Sequence, residues 1–186
     1  VAIFYICVET HSELDEATRK YKCRVGFRGH LIREEYGLEP QFPGQGASFV
    51  DALKLFDIVA MLPGNKVQQS DAPSAYTQAL LYEGDENKFV ETWVILPENQ
   101  CPESWSKFKT PVVRLRLALY GHPESGAIWD KKMYKVMRLC GFLPVGEGSP
   151  GVFYNPKLNA EMVVYVDDFI LIAPSRSEEH TSELQS

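Results

Sequence analysis

VVYVDDFILIA, residues 163–173, places Asp167 and Asp168 side by side in a run that is otherwise apolar and rich in β-branched residues. Two adjacent carboxylates inside a buried strand carry a large desolvation cost unless they are paired or bound to a cation. The run divides naturally into MVVYV and FILIA, two short strands joined by a tight turn with both aspartates at the tip, where turns accept Asp. A plain hairpin is one account of it. Yet Asn-Gly or Asp-Gly is the usual tight-turn pair, and adjacent like charges repel unless a divalent cation lies between them.

Around this run the chain alternates elements. Residues 22–27 read as a strand, followed by a Gly/Pro-rich loop, GLEPQFPGQG. Residues 48–62 predict a helix: Ser48 can cap it with Asp51 three residues on, Phe49, Leu53, Phe56 and Val59 form an apolar stripe, and Pro63-Gly64 ends it. Residues 66–71 predict a strand ending at Asp71, and Pro73 suits the first turn of a helix reaching about Leu81. FVETWVIL, 89–96, is strand-like. Residues 123–140 predict a helix with Ile128, Trp129, Met133, Met137 and Cys140 on one face, closed by Gly141. Strand character returns at 151–154 and 162–173. Strands and helices mix without a βαβ rhythm, which predicts an α+β domain.

Composition bounds the function. The 186 residues are 45% hydrophobic and 24% charged, enough for one sizeable domain or two small lobes. No stretch approaches the length of a membrane span, and VAIFYICV at the start lacks the basic leader and cleavage site of a signal peptide. Cys7, Cys23, Cys101 and Cys140 form no CxxC pair, so they read as free thiols in a reducing compartment rather than a zinc site or disulfide framework.

The net charge of −6 does not favour nucleic acid, but the charge is segregated. Arg19, Lys20, Lys22, Arg24, Arg28 and Arg33 fall within 19–33 without an acid, and Lys107, Lys109, Arg114, Arg116, Lys131, Lys132, Lys135 and Arg138 fall within 107–138. Glu83, Asp85, Glu86 and Glu91 gather in an expected surface loop. Two solvated faces explain this, and so does a basic groove on an acidic protein.

Four blocks, in order, carry a resemblance. YVDD, with Tyr165 and Val166 before the aspartates, resembles motif C of reverse transcriptases. QQSDAPSAYTQALL resembles motif A, with Asp71 ending a strand and an aromatic, Tyr76, following. LYGHPESGAIWDKKM, 119–133, is similar to the LYGLKQAPRAW signature of copia-type retrotransposon polymerases, with Leu119, Tyr120, Gly121 and Trp129 in register. KYKCRVGFRGH, 20–30, is similar to that family's KARLVARG fingers strand. The match covers about residues 20–173.

The resemblance implies a fingers–palm fragment of a right-hand polymerase, its palm a ferredoxin-like antiparallel sheet packed on helices, with thumb and RNase H regions absent. It implies RNA-directed DNA polymerisation by two Mg²⁺ ions, with Mn²⁺ as a substitute, held by Asp71, Asp167, Asp168 and the carbonyl of Ala72. One of Lys22, Arg24 or Arg28 would hold the triphosphate. Tyr76 would exclude a ribose 2′-hydroxyl, while Gly121 and Ser125 would line the nucleotide pocket. Implied partners are an RNA template, a DNA primer, deoxynucleoside triphosphates and other parts of a Pol polyprotein, in an intracellular setting without membrane. Departures from the pattern are Glu124 where the family has Gln, Ala127-Ile128 where it has a cation, and Pro73-Ser74 in motif A. A decayed relic that keeps the palm but not the activity has the same sequence signature, and a nucleotide cyclase shares the paired acids.

The expected organisation is a partial N-terminal segment over 1–19, fingers and palm over 20–175, and a polar tail over 176–186. That tail, RSEEHTSELQS, resembles the translation of a sequencing adapter and is expected to be a scar. Val1 in place of Met reads as a fragment.

Overall fold

The computed structural model describes residues 1–29, 47–82, 91–146 and 149–175, with side chains of 47–52 outside the description. The Gly/Pro-rich loop, the Ser48 cap, the acidic loop except Glu91, and the polar tail therefore lie outside the described residues. The fold is α+β, and every strand pairing within its sheets is antiparallel. Among the described residues no helix is long and apolar enough to cross a membrane.

The chain forms two compact units, Val1–Gln41 with Tyr76–Ile128, and Phe42–Ala75 with Trp129–Ser186. In the first, β1 (Ile3–Thr10) and β2 (Lys20–Phe27) form an eight-pair antiparallel ribbon. Short strands β4 (Trp93–Ile95) and β5 (Val112–Arg114) form a second pair. Phe27, Val94 and Leu119 make the core between them, with Ile3, Val25 and Val113 against it.

In the second unit, five strands lie in the order β3-β9-β8-β7-β6: β3 (Asn65–Asp71), β6 (Leu143–Pro144), β7 (Val152–Asn155), β8 (Ala160–Tyr165) and β9 (Asp168–Pro174). Helix α1 (Ala47–Ala60) covers one face, where Phe56, Leu53 and Val59 pack on Val152, Val163, Ile170 and Ile172. Helix α2 (Ser125–Leu139) meets the alternate side chains, with Tyr134 edge-on to Phe153 at 4.9 Å. Val163 and Val164 point to opposite faces of the strand and both are buried. Covering on both faces explains why the run around the aspartates is continuously apolar rather than alternating.

Local chemistry ends α2 as its sequence predicts. Gly141 has φ 80°, its N–H reaches Arg138, and Phe142 N–H reaches Met137. Those bonds form the glycine-terminated cap that satisfies the last carbonyls.

Four expectations are corrected. The helix predicted from Pro73 to Leu81 is only a 3₁₀ turn, Ala75–Gln78. Ser74 has φ 55°, which no right-handed helix accommodates, and the following segment pairs instead: Ala118 N–H donates to Ala79 and Leu81 N–H to Arg116. The strand predicted over 89–96 shortens to Trp93–Ile95 within the described residues. The ribbon extends to residues 3–10, a strand not predicted at all. Finally, Cys7 and Cys23 are not free thiols. They are Cα partners across the ribbon, 4.1 Å apart, and their sulfurs are bonded, whereas Cys101 and Cys140 are free.

Candidate metal centre

The sheet order brings Asp71 to the adjacent aspartates Asp167 and Asp168. β3 lies beside β9 in a register that makes Asp71 the Cα partner of Asp168. Direct partners in an antiparallel pair have Cβ atoms about 5 Å apart and side chains on the same face. Two carboxylates so placed repel, and the fold retains them at the open end of the sheet, where both are exposed.

Asp167 joins them from the turn. The tip is shifted by one residue from the expected position: Tyr165 pairs with Asp168, so the turn residues are Val166 and Asp167 and only one aspartate sits in the loop. Val166 has φ 55°, in the left-handed region, while Asp167 does not. Two-residue hairpins of this kind favour Gly at the first position. A β-branched residue there stores about 1–3 kcal/mol of strain. Two bonds hold the tip. Trp129 Nε1–H donates to the Val166 carbonyl at 2.6 Å, and Ala72 N–H donates to the Asp167 carbonyl at 2.7 Å. The N–H of Ala72, whose carbonyl the resemblance would place on a metal, fastens the end of β3 to the hairpin tip.

All-oxygen carboxylate donors match the preference of Mg²⁺ for hard ligands, and the opposed pair with a third acid in the adjacent turn suits a divalent cation. Among the described residues no three His, Cys, Asp or Glu side chains stand already converged as a metal-holding group.

Other predicted site residues sit in the first unit. Lys22 and Arg24 project with Lys20 from one face of β2, and all three, like Arg28, are exposed. Tyr76 is half-buried, its ring 4.7 Å from that of Tyr120, against the small core of Ala79, Leu81 and Ala118. Ser125 is buried; its hydroxyl donates to Leu119 O at 2.8 Å and accepts from Leu119 N–H at 2.9 Å. Gly121 has φ 92°, and a methyl built on it would fall inside the Phe27 carbonyl oxygen. Its missing side chain serves the approach of β2, whose Phe27 N–H donates to Tyr120 O at 2.7 Å.

His122 gave no sequence signal as a structural residue. It is buried, with Nε2 3.0 Å from Thr92 Oγ1, and its Nδ1 accepts the Glu124 N–H at 3.2 Å. An accepting Nδ1 fixes the neutral tautomer with the proton on Nε2. Burial lowers its pKa from 6.5 to about 4. The unfolded chain therefore binds the proton more readily, so stability from this group is complete above about pH 6.5 and is lost as pH falls towards 4. The loss reaches about 3 kcal/mol. Asp130, raised by burial to about 6, acts in the opposite sense, since the folded carboxyl holds its proton and gains stability on acidification. Comparing urea unfolding of the parent and His122→Gln between pH 7 and 4.5 isolates the histidine: the parent is expected to lose more stability, and parallel profiles would refute the assignment.

Comparison with protein-family models gives no match to this chain, and neither does comparison with curated proteins.

Proposed function

We propose that this chain is the fingers–palm part of a reverse transcriptase of the copia-type retrotransposon class, joining deoxynucleotides to a primer on an RNA template. The observation that carries the reading is the Asp71–Asp168 register, with Asp167 in the adjoining turn. An antiparallel sheet with helices on both faces, presenting acids at one end, is consistent with a polymerase palm.

In this reading Asp71, Asp167 and Asp168 hold two Mg²⁺ ions, which supply charge neutralisation and lower the pKa of the attacking 3′-hydroxyl. The chain's own work is positioning. Ala72 N–H ties the end of β3 to the hairpin tip, and the β3–β9 register sets the backbone of Asp71 opposite that of Asp168. Within the first unit, Lys20, Lys22 and Arg24 form an exposed cation stripe on β2, and the Tyr76 ring rests against that of Tyr120.

Mn²⁺ titration followed by electron paramagnetic resonance tests the assignment. The chain is expected to bind Mn²⁺ in competition with Mg²⁺, and Asp71→Asn to weaken binding about tenfold while raising metal-free stability by a few tenths of a kcal/mol through relief of the opposed charges. Absence of Mn²⁺ binding, or binding indifferent to Asp71, would remove the metal centre and leave a relic that keeps only the fold.

A further inference from the structure

We infer that Trp129 is a positioning residue for the aspartate turn: its indole N–H holds the Val166 carbonyl and thereby keeps a β-branched residue left-handed beside Asp167. This rests on the reading of the aspartates as metal ligands.

The geometry is specific. Trp129 is buried in the second unit, yet its one polar atom is aimed at the carbonyl of the single left-handed residue in the β8–β9 turn. An indole N–H inside a core needs an acceptor, and here the acceptor belongs to the strained peptide. Were Val166 to relax to negative φ, that peptide would turn, and the carbonyl would leave the indole. The next carbonyl, that of Asp167, accepts from Ala72 N–H, so the two bonds act in series on the same turn. Indole, left-handed valine and motif A are thus one linked unit, and the direction of the Asp167 side chain depends on it.

A purely space-filling tryptophan predicts something different. Its loss would loosen the surrounding core whatever residue stood at 166. A tryptophan that sustains strain matters less once the strain is gone, and glycine adopts positive φ without cost.

The test is a cycle on the whole chain read by native-state hydrogen exchange at the Ala72 amide. Its members are Trp129→Phe, Trp129→benzothienylalanine, which keeps the bicyclic shape and removes only the N–H, Val166→Gly, and the doubles. Removing the N–H is expected to speed Ala72 exchange about tenfold in the parent, the size of one lost hydrogen bond, and less than about threefold in the Val166→Gly background. Amides of the β8–β9 ladder away from the turn, such as Ile170, are expected to hold their rates. Equal acceleration in both backgrounds, no acceleration, or acceleration spread through the ladder overturns the proposal. Mn²⁺ affinity of the benzothienylalanine chain is expected to fall about tenfold and to recover in the Val166→Gly double. If exchange shows the coupling but affinity does not move, Trp129 positions the turn and not the ligands, and the proposal fails. If the parent chain binds no Mn²⁺ at all, the metal reading fails, and the exchange cycle still decides the action of Trp129 on the turn.

Discussion

Gly121→Ala is expected to destabilise the first unit by about 4 kcal/mol or more. Two independent costs combine at this position. Its φ of 92° lies where a Cβ is disfavoured by about 1–2 kcal/mol, and the added methyl meets the Phe27 carbonyl oxygen, a backbone atom that cannot rotate away. Phe27 belongs to the core of this unit, and its N–H bonds Tyr120, so retreat of β2 loses packing and a hydrogen bond together. Gly29→Ala, whose Cβ would meet the Gly121 carbonyl oxygen, probes the same approach from the other side without a positive φ. Gly64→Ala serves as the comparison: φ is 89° but no atom lies within 4 Å, so conformational cost alone applies, about 1 kcal/mol. Urea midpoints of the three variants separate the effects. A Gly121→Ala chain no less stable than Gly64→Ala would show that β2 does not depend on the close approach.

If the proposed reading holds, Asp167→Asn is expected to abolish Mg²⁺-dependent primer extension, by about a thousandfold or more, in any form of the protein competent for extension. The change keeps shape and hydrogen-bonding oxygen but removes the charge that a cation requires. The backbone carbonyl of Asp167, which accepts from Ala72, is untouched, so the turn should survive. Circular dichroism and the Ala72 exchange rate should match the parent while extension vanishes. Retained extension would eliminate Asp167 as a ligand and with it the two-metal scheme.

Much of this was legible in the sequence where local chemistry decides structure. Gly141 announced the end of α2, and the apolar stripe of Phe56 and Leu53 announced the helix that packs here on the sheet. The split of the aspartate run into two strands also came from pattern alone. Its register did not, because Val166 sits where the turn rules favour Gly, and only the indole of Trp129 and the amide of Ala72, both distant in sequence, make that placement tenable. The helix predicted after Pro73 failed for a related reason. Residues 79–81 are drawn into pairing with 116–118, and tertiary hydrogen bonds outweighed a helical pattern. The cross-ribbon cysteines were missed because β1 was not recognised as a strand; without it, Cys7 and Cys23 are merely far apart in the chain. His122 carries its information in Thr92, a partner no spacing rule connects to it.

The place of β3 at the edge of its sheet has a consequence in time. Asp167 and Asp168 share a hairpin whose closure is local and takes microseconds, whereas Asp71 arrives only when a loop of about a hundred residues has closed. Among the described residues the strand that brings it has a neighbour on one side only, so its docking rests on the β3–β9 pairing alone. A nascent or partly unfolded chain would thus display the hairpin acids without their third member. Formation of the Asp71–Asp168 pairing therefore reports that β3 has docked on β9.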